Sequence, residues 1–220
     1  MVIVLDLDDT LILEYNYVLS GFSSIDSWLC EKEYTNGFFE LATNFFNNKQ
    51  SDPVGLALHE LGLLSHQKDI KSKCIQIYRS HIPKISLCED AECFLKTILQ
   101  GSNKLALITD GRPVGQNNKI NAVDLSQYIK REHMVLTGEK GEDFSKPSLY
   151  AYEKVMSFYP NEEEFIYIAD NPKKDFVAPK KLGWKPSIRI KREKGLYRDH
   201  DSNIYTIESF DQITHQGIYI

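Results

Sequence analysis

Val2-Ile3-Val4-Leu5-Asp6-Leu7-Asp8-Asp9-Thr10 decides the architecture of this 220-residue chain. Four consecutive apolar, largely β-branched residues run without alternation into a cluster of acids, which is the pattern of a short strand buried on both faces. Three further stretches repeat it. Lys104 to Thr109 stops at Asp110-Gly111, Met134 to Leu136 at Thr137-Gly138, and Phe165 to Ala169 at Asp170-Asn171-Pro172, with Ser187 to Ile190 as a candidate fifth. Helical patterns lie between them at Asp90 to Leu99, Ser148 to Phe158 and Lys173 to Leu182. This alternation predicts an α/β fold with a mainly parallel, Rossmann-like sheet. In such sheets ligands bind beyond the carboxyl ends of the strands, where each of these polar clusters falls.

The interval from Glu14 to Ile85 breaks the rhythm. It is rich in aromatic residues (Trp28, Phe38, Phe39, Phe45, Phe46) with breaks near Ser51-Asp52-Pro53 and Gly62. We read it as a helical insertion of roughly seventy residues, the size of a small domain. The expected division is therefore an α/β core from residues 1–13 and 86–220, and a helical domain over 14–85.

Composition places the chain among ordinary globular proteins, with 42% hydrophobic and 26% charged residues. The first residues contain no basic segment, long apolar stretch or small-residue cleavage site, and no apolar run approaches the ~20 residues of a membrane helix. The expectation is a cytoplasmic protein without a membrane partner. A net charge of −5 argues against nucleic acid. The charge is uneven: Lys173 to Arg198 carries +8 and the remainder −13. A solvated face is the ordinary explanation of such a run, and steering of anionic substrates is the alternative. The four cysteines, Cys30, Cys74, Cys88 and Cys93, lack metal-binding spacing and are expected to be buried, reduced thiols.

The chemistry lies at the strand ends. Residues two apart on extended backbone point the same way, so Asp6 and Asp8 are expected to face one spot. Their mutual repulsion calls for a cation, and oxygen-preferring magnesium, held by one or two carboxylates plus substrate phosphate, fits. Thr109 supplies a hydroxyl, Asp110-Gly111 a backbone that can approach a phosphate oxygen closely, Lys146 a point positive charge, and Asp170 and Asp175 further carboxylates. Each has a plain structural explanation alone, because turn formers and caps are common at strand ends. Their arrival in order at successive strand ends favours a site.

The stretches Asp6-Leu7-Asp8-Asp9-Thr10, Leu107-Ile108-Thr109-Asp110-Gly111, Ser145-Lys146-Pro147 and Ala169-Asp170 through Asp175 together resemble the haloacid dehalogenase superfamily, in particular its phosphatase branch. The resemblance covers residues 1–13 and about 86–200. It implies a magnesium-dependent phosphohydrolase acting on a small phosphorylated metabolite. Asp6 would be the nucleophile that becomes an aspartyl phosphate, and Asp8 the acid and base. Thr109 and Lys146 would hold the transferring phosphoryl group, with Asp110 and Gly111 beside them. Asp6, Asp170 and the main-chain carbonyl of Asp8 would bind magnesium, with Asp175 steadying that loop. An acid at position 8 separates phosphatases from the dehalogenating members, whose halide leaving group needs no proton. Ala169 departs from the pattern, since glycine commonly precedes the metal-binding acid. The insertion resembles the superfamily's helical cap. A phosphosugar mutase on the same fold and a phosphorylatable receiver-like module are the alternatives.

Overall fold

Short, wholly apolar strands must hide both faces, and the chain satisfies this with one parallel sheet covered by helices. The computed structural model describes residues 1–65 and 69–215. In chain order the elements are β1 (Val2–Leu5), α1 (Glu14–Glu31), α2 (Phe38–Asn47), α3 (Pro53–Glu60), α4 (Ile70–Ser80), α5 (Glu89–Leu99), β2 (Lys104–Thr109), α6 (Pro113–Ala122), β3 (Met134–Leu136), α7 (Tyr150–Phe158), β4 (Phe165–Ala169), α8 (Val177–Lys181), β5 (Ile188–Ile190), β6 (Tyr205–Ile207) and α9 (Asp211–His215). The strands run parallel in the order β3-β2-β1-β4-β5-β6. Strand order reverses between β1 and β4, and a doubly wound sheet opens its ligand crevice at such a switch point.

Register fixes what emerges there. Leu5 is level with Leu107 of β2 and Ile168 of β4, so Thr109 and Asp170 each stand one residue beyond the level of Asp6. The Asp6 amide still donates to the Ile168 carbonyl at 3.0 Å, which ties the first polar residue to the sheet. On one face Val2, Val4, Ile108, Tyr152, Val155, Phe165, Tyr167 and Trp184 share a core. Area removed from water is the main favourable term here, at about 1.5–3 kcal/mol for each large apolar side chain fully buried.

The chain divides into two units, Met1–Tyr15 with Ser86–Ile220, and Asn16–Ile85, with the division falling inside α1. The second unit has its own apolar centre, in which Phe22 meets Phe38 edge-on at 6.3 Å between ring centroids. Its helices are bounded by ordinary chemistry. Asp52 caps α3 by accepting from the Gly55 amide at 3.0 Å, with Pro53 in the first turn, and Gly62 takes the left-handed conformation at φ 71° after α3. No described helix is long and apolar enough to cross a membrane.

Three sequence expectations need correction. The helix expected over Lys173 to Leu182 is confined to Val177–Lys181. Upstream, Asp175 Oδ2 accepts from the Asn171 amide at 2.9 Å and Asn171 Oδ1 accepts from the Lys173 amide at 3.0 Å, side-chain bonds that favour a turn over helix in this stretch. The basic stretch is not uniformly a solvated face. Arg189 is buried and donates to the carbonyls of Asp170, Tyr197 and His200. Arg192 is buried, forks onto both oxygens of Asp90 at 2.7 and 2.8 Å, and donates to the Thr10 carbonyl. Breaking such a buried pair by removing one partner typically costs about 3–5 kcal/mol, so these cations hold the two acid-bearing loops in place. Finally, of the cysteines Cys74 is buried, its thiol pushed up to about 11 by that burial, whereas Cys30 and Cys93 are exposed.

Candidate active site

Asp6 leaves β1 as the chain turns. Its Oδ1 accepts from the Leu7 amide at 2.8 Å, and the Leu7 carbonyl in turn accepts from the amides of Leu11 and Ile12, closing a tight loop. Oδ2 lies 2.9 Å from Lys146 Nζ. The same ammonium lies 2.9 Å from Asp175 Oδ1 and donates to the Tyr167 hydroxyl oxygen at 3.1 Å. Lys146 is thus enclosed, its side chain 1% exposed, with two carboxylates for company. Burial pulls its pKa down, but Asp175, Asp6 and Asp110 outweigh that pull and leave the ammonium well above its ordinary value.

Asp6, Asp170 and Asp175 are all buried and each offers an oxygen within 4.8 Å of the others'. Crowding of like charges out of water has the expected effect. Burial raises Asp6 to about 7, with Asp175 adding to the rise and Lys146 opposing it, and burial with the charges of Asp6 and Asp175 raises Asp170 to about 9. One lysine is too little charge for three carboxylates. The donor set, three oxygens of hard acids at one point, suits a divalent cation such as magnesium.

Thr109 is buried at the end of β2, and its Oγ1 has no hydrogen-bond partner among the described residues. An orphaned buried hydroxyl is costly unless something fills it, which makes it a ready contact for a ligand oxygen. The Asp110 side chain is engaged within the protein, which leaves the backbone at Asp110-Gly111 as the part expected to approach a ligand. Its Oδ1 accepts from Thr137 Oγ1 at 2.8 Å and the Lys146 amide at 3.1 Å, and its Oδ2 pairs with Lys174 at 2.5 Å. Against the upward push of burial, Lys146 and Lys174 hold it below the usual carboxylate range. Its side chain is therefore engaged in joining β2, β3 and the Lys146 segment. Gly111 sits at φ 123°, and its carbonyl would lie 2.1 Å from a Cβ on Gly138, so the turn after β3 needs glycine for this approach.

Asp8 does not share a partner with Asp6. Its Oδ1 pairs with Lys119 Nζ at 2.7 Å and its Oδ2 accepts from Gln116 Nε2 at 2.9 Å, both on α6. Asp9, at φ 50°, anchors the loop by accepting from the Glu14 and Leu196 amides at 2.9 and 2.8 Å. Burial, then the charge of Asp8, pushes Glu14 up to about 7. The structure thus puts Lys146 in direct contact with Asp6 and Asp175 and brings an Asp170 oxygen within 4.8 Å of theirs. Sequence reading missed Tyr167, Thr137, Lys174, Gln116 and Lys119. Thr137 and Tyr167 had a signal, as polar atoms at or near the ends of buried strands; the α6 pair had none.

A doubly wound parallel sheet with a buried acid and lysine centre at its switch point defines an α/β protein whose ligand crevice opens beside those residues. The family model for haloacid dehalogenase-like hydrolases matches residues 3–187, and the chain belongs to that family of enzymes. Among solved structures it is similar to a candidate phosphatase from Clostridium difficile, at 17% identity over 100% of this chain and 98% of that one, with a TM-score of 0.67. It is also similar to the HAD family hydrolase of Deinococcus radiodurans R1 with bound phosphate and sodium, at 13% identity over 96% and 92% of the two chains, with a TM-score of 0.63. A third is YfnB of Bacillus subtilis, bound to magnesium, at 15% identity over 98% and 97%, with a TM-score of 0.60. At such identities these neighbours speak to the fold. No curated protein matches the chain.

Proposed function

We propose that this hydrolase removes the phosphoryl group from a small phosphorylated metabolite through a covalent intermediate on Asp6. The observation that carries the reading is the buried Lys146 ammonium held between Asp6 and Asp175, with the unpartnered Thr109 hydroxyl at the end of β2, the strand beside β1. Asp6 attacks phosphorus through a carboxylate oxygen, and one difficult displacement becomes two easier ones. Lys146 offsets the charge on Asp6 and, with Thr109 and the backbone after Asp110, holds the transferring oxygens. Asp8 gives a proton to the leaving oxygen and takes one from the attacking water in the second step.

Magnesium is the cation this acid set favours, with Asp6, Asp170 and the Asp8 main-chain carbonyl as its ligands and Asp175 steadying Asp170's loop. When bound, it supplies the positive charge that lets adjacent carboxylates face a phosphate dianion. The magnesium and phosphate held by the neighbours YfnB and the Deinococcus hydrolase support this reading. The helical insertion over 14–85, which interrupts the chain between the Asp6 and Thr109 segments, is the part whose likeness to the family's cap would give it the role of selecting the substrate.

The test is steady release of inorganic phosphate from aryl and metabolite phosphates. Chelation of divalent metal is expected to abolish release and added magnesium to restore it. Release that persists undiminished in chelator would contradict the metal assignment.

A further inference from the structure

Helix α6 buries two polar side chains beside Gly115 and Ile120. Gln116 and Lys119, three residues apart and so on one helix face, are each 4% exposed. A buried lysine is costly unless its charge is met, and here it is met by Asp8 Oδ1 at 2.7 Å. Gln116 Nε2 takes the other oxygen at 2.9 Å and also donates to the Asp110 carbonyl, so one amide links Asp8 to the loop that follows Thr109. Both Asp8 oxygens are thereby fixed, from a helix that no step of the chemistry above employs.

We propose that Lys119 and Gln116 are positioning residues that fix the Asp8 carboxylate for proton transfer to the leaving oxygen. The proposal rests on the phosphatase reading. An exposed aspartate on a turning loop samples several rotamers, whereas a proton donor must stand within hydrogen-bond reach of the oxygen it serves. A clamp on both oxygens removes that freedom before substrate arrives.

A purely structural ion pair and a positioning role differ in their dependence on the leaving group. Phenolate is a poor leaving group that needs the proton, and dinitrophenolate leaves without one. Values of kcat/KM report the step that breaks this bond. Lys119→Met is expected to lower kcat/KM for phenyl phosphate by about 100-fold, as misplacement of a catalytic group does, while dinitrophenyl phosphate loses less than about threefold. Gln116→Met, which keeps the ion pair, is expected to show the same split to a smaller degree, and Lys119→Arg to recover most of the phenyl phosphate activity. Should Lys119→Met fail to fold, the other two variants carry the test by that same split. Equal losses on both substrates, or no loss on either, would overturn the positioning role and leave the phosphatase reading intact. An unaltered protein inactive on every phosphate ester would overturn that reading, and the proposal with it.

Discussion

Asp6→Asn is expected to eliminate turnover, with kcat falling by at least about 10⁴-fold, since loss of a covalent nucleophile leaves only the binding part of the rate enhancement. The substitution keeps the shape and the hydrogen bond from the Leu7 amide but removes the attacking lone pair's charge. It also withdraws one of the charges that push Asp170 up, so the acid cluster is less crowded than before. The variant should therefore melt at or near the temperature of the unaltered protein while being inactive on phenyl phosphate. Retained activity would move the nucleophile elsewhere; loss of folding would mean that Asp6 serves chiefly to pair with Lys146.

Lys146→Met follows as the second large effect, with a different signature. Lys146 touches Asp6 and Asp175 at once, and its removal strands buried carboxylates without their counter-charge. Breaking a buried pair in this way costs about 3–5 kcal/mol, and losing a preorganised charge at the transferring group costs about 10²–10³ in kcat. Both should appear together: a lower urea midpoint and a lower kcat, with added magnesium recovering part of the stability because it can neutralise the same acids. A midpoint equal to that of the unaltered protein would show that Lys146 is not the counter-ion it is taken to be.

Much of the core was legible in the sequence because parallel strands buried on both faces cannot alternate. The observed limits of β1, β2, β3 and β4 match the apolar runs residue for residue, and the acids or threonine ending β1, β2 and β4 mark the site. What escaped notice has physical causes. The α6 sequence, Pro113-Val-Gly-Gln-Asn-Asn-Lys-Ile-Asn-Ala, has no apolar stripe, because beside Gly115 and Ile120 it turns Gln116 and Lys119 inward; the partner of those two is Asp8, 108 and 111 residues away in the chain. The strand β6 is three residues long with Tyr205 exposed, as an edge strand can be, and so it carries no double-faced apolar signal. Arg189 and Arg192 read as solvated charge, since nothing local shows that backbone carbonyls of Asp170 and Thr10 await them. The direct contact of Lys146 with Asp175 is likewise a tertiary fact.

The most direct measurement is chemical trapping of the intermediate. Acid-quenched turnover followed by borohydride reduction converts an aspartyl phosphate to homoserine, which peptide mass spectrometry then locates. Homoserine at position 6, and its disappearance in Asp6→Asn, is the predicted result. Sustained phosphate release with an unmodified Asp6 peptide, or homoserine at another aspartate, would contradict it.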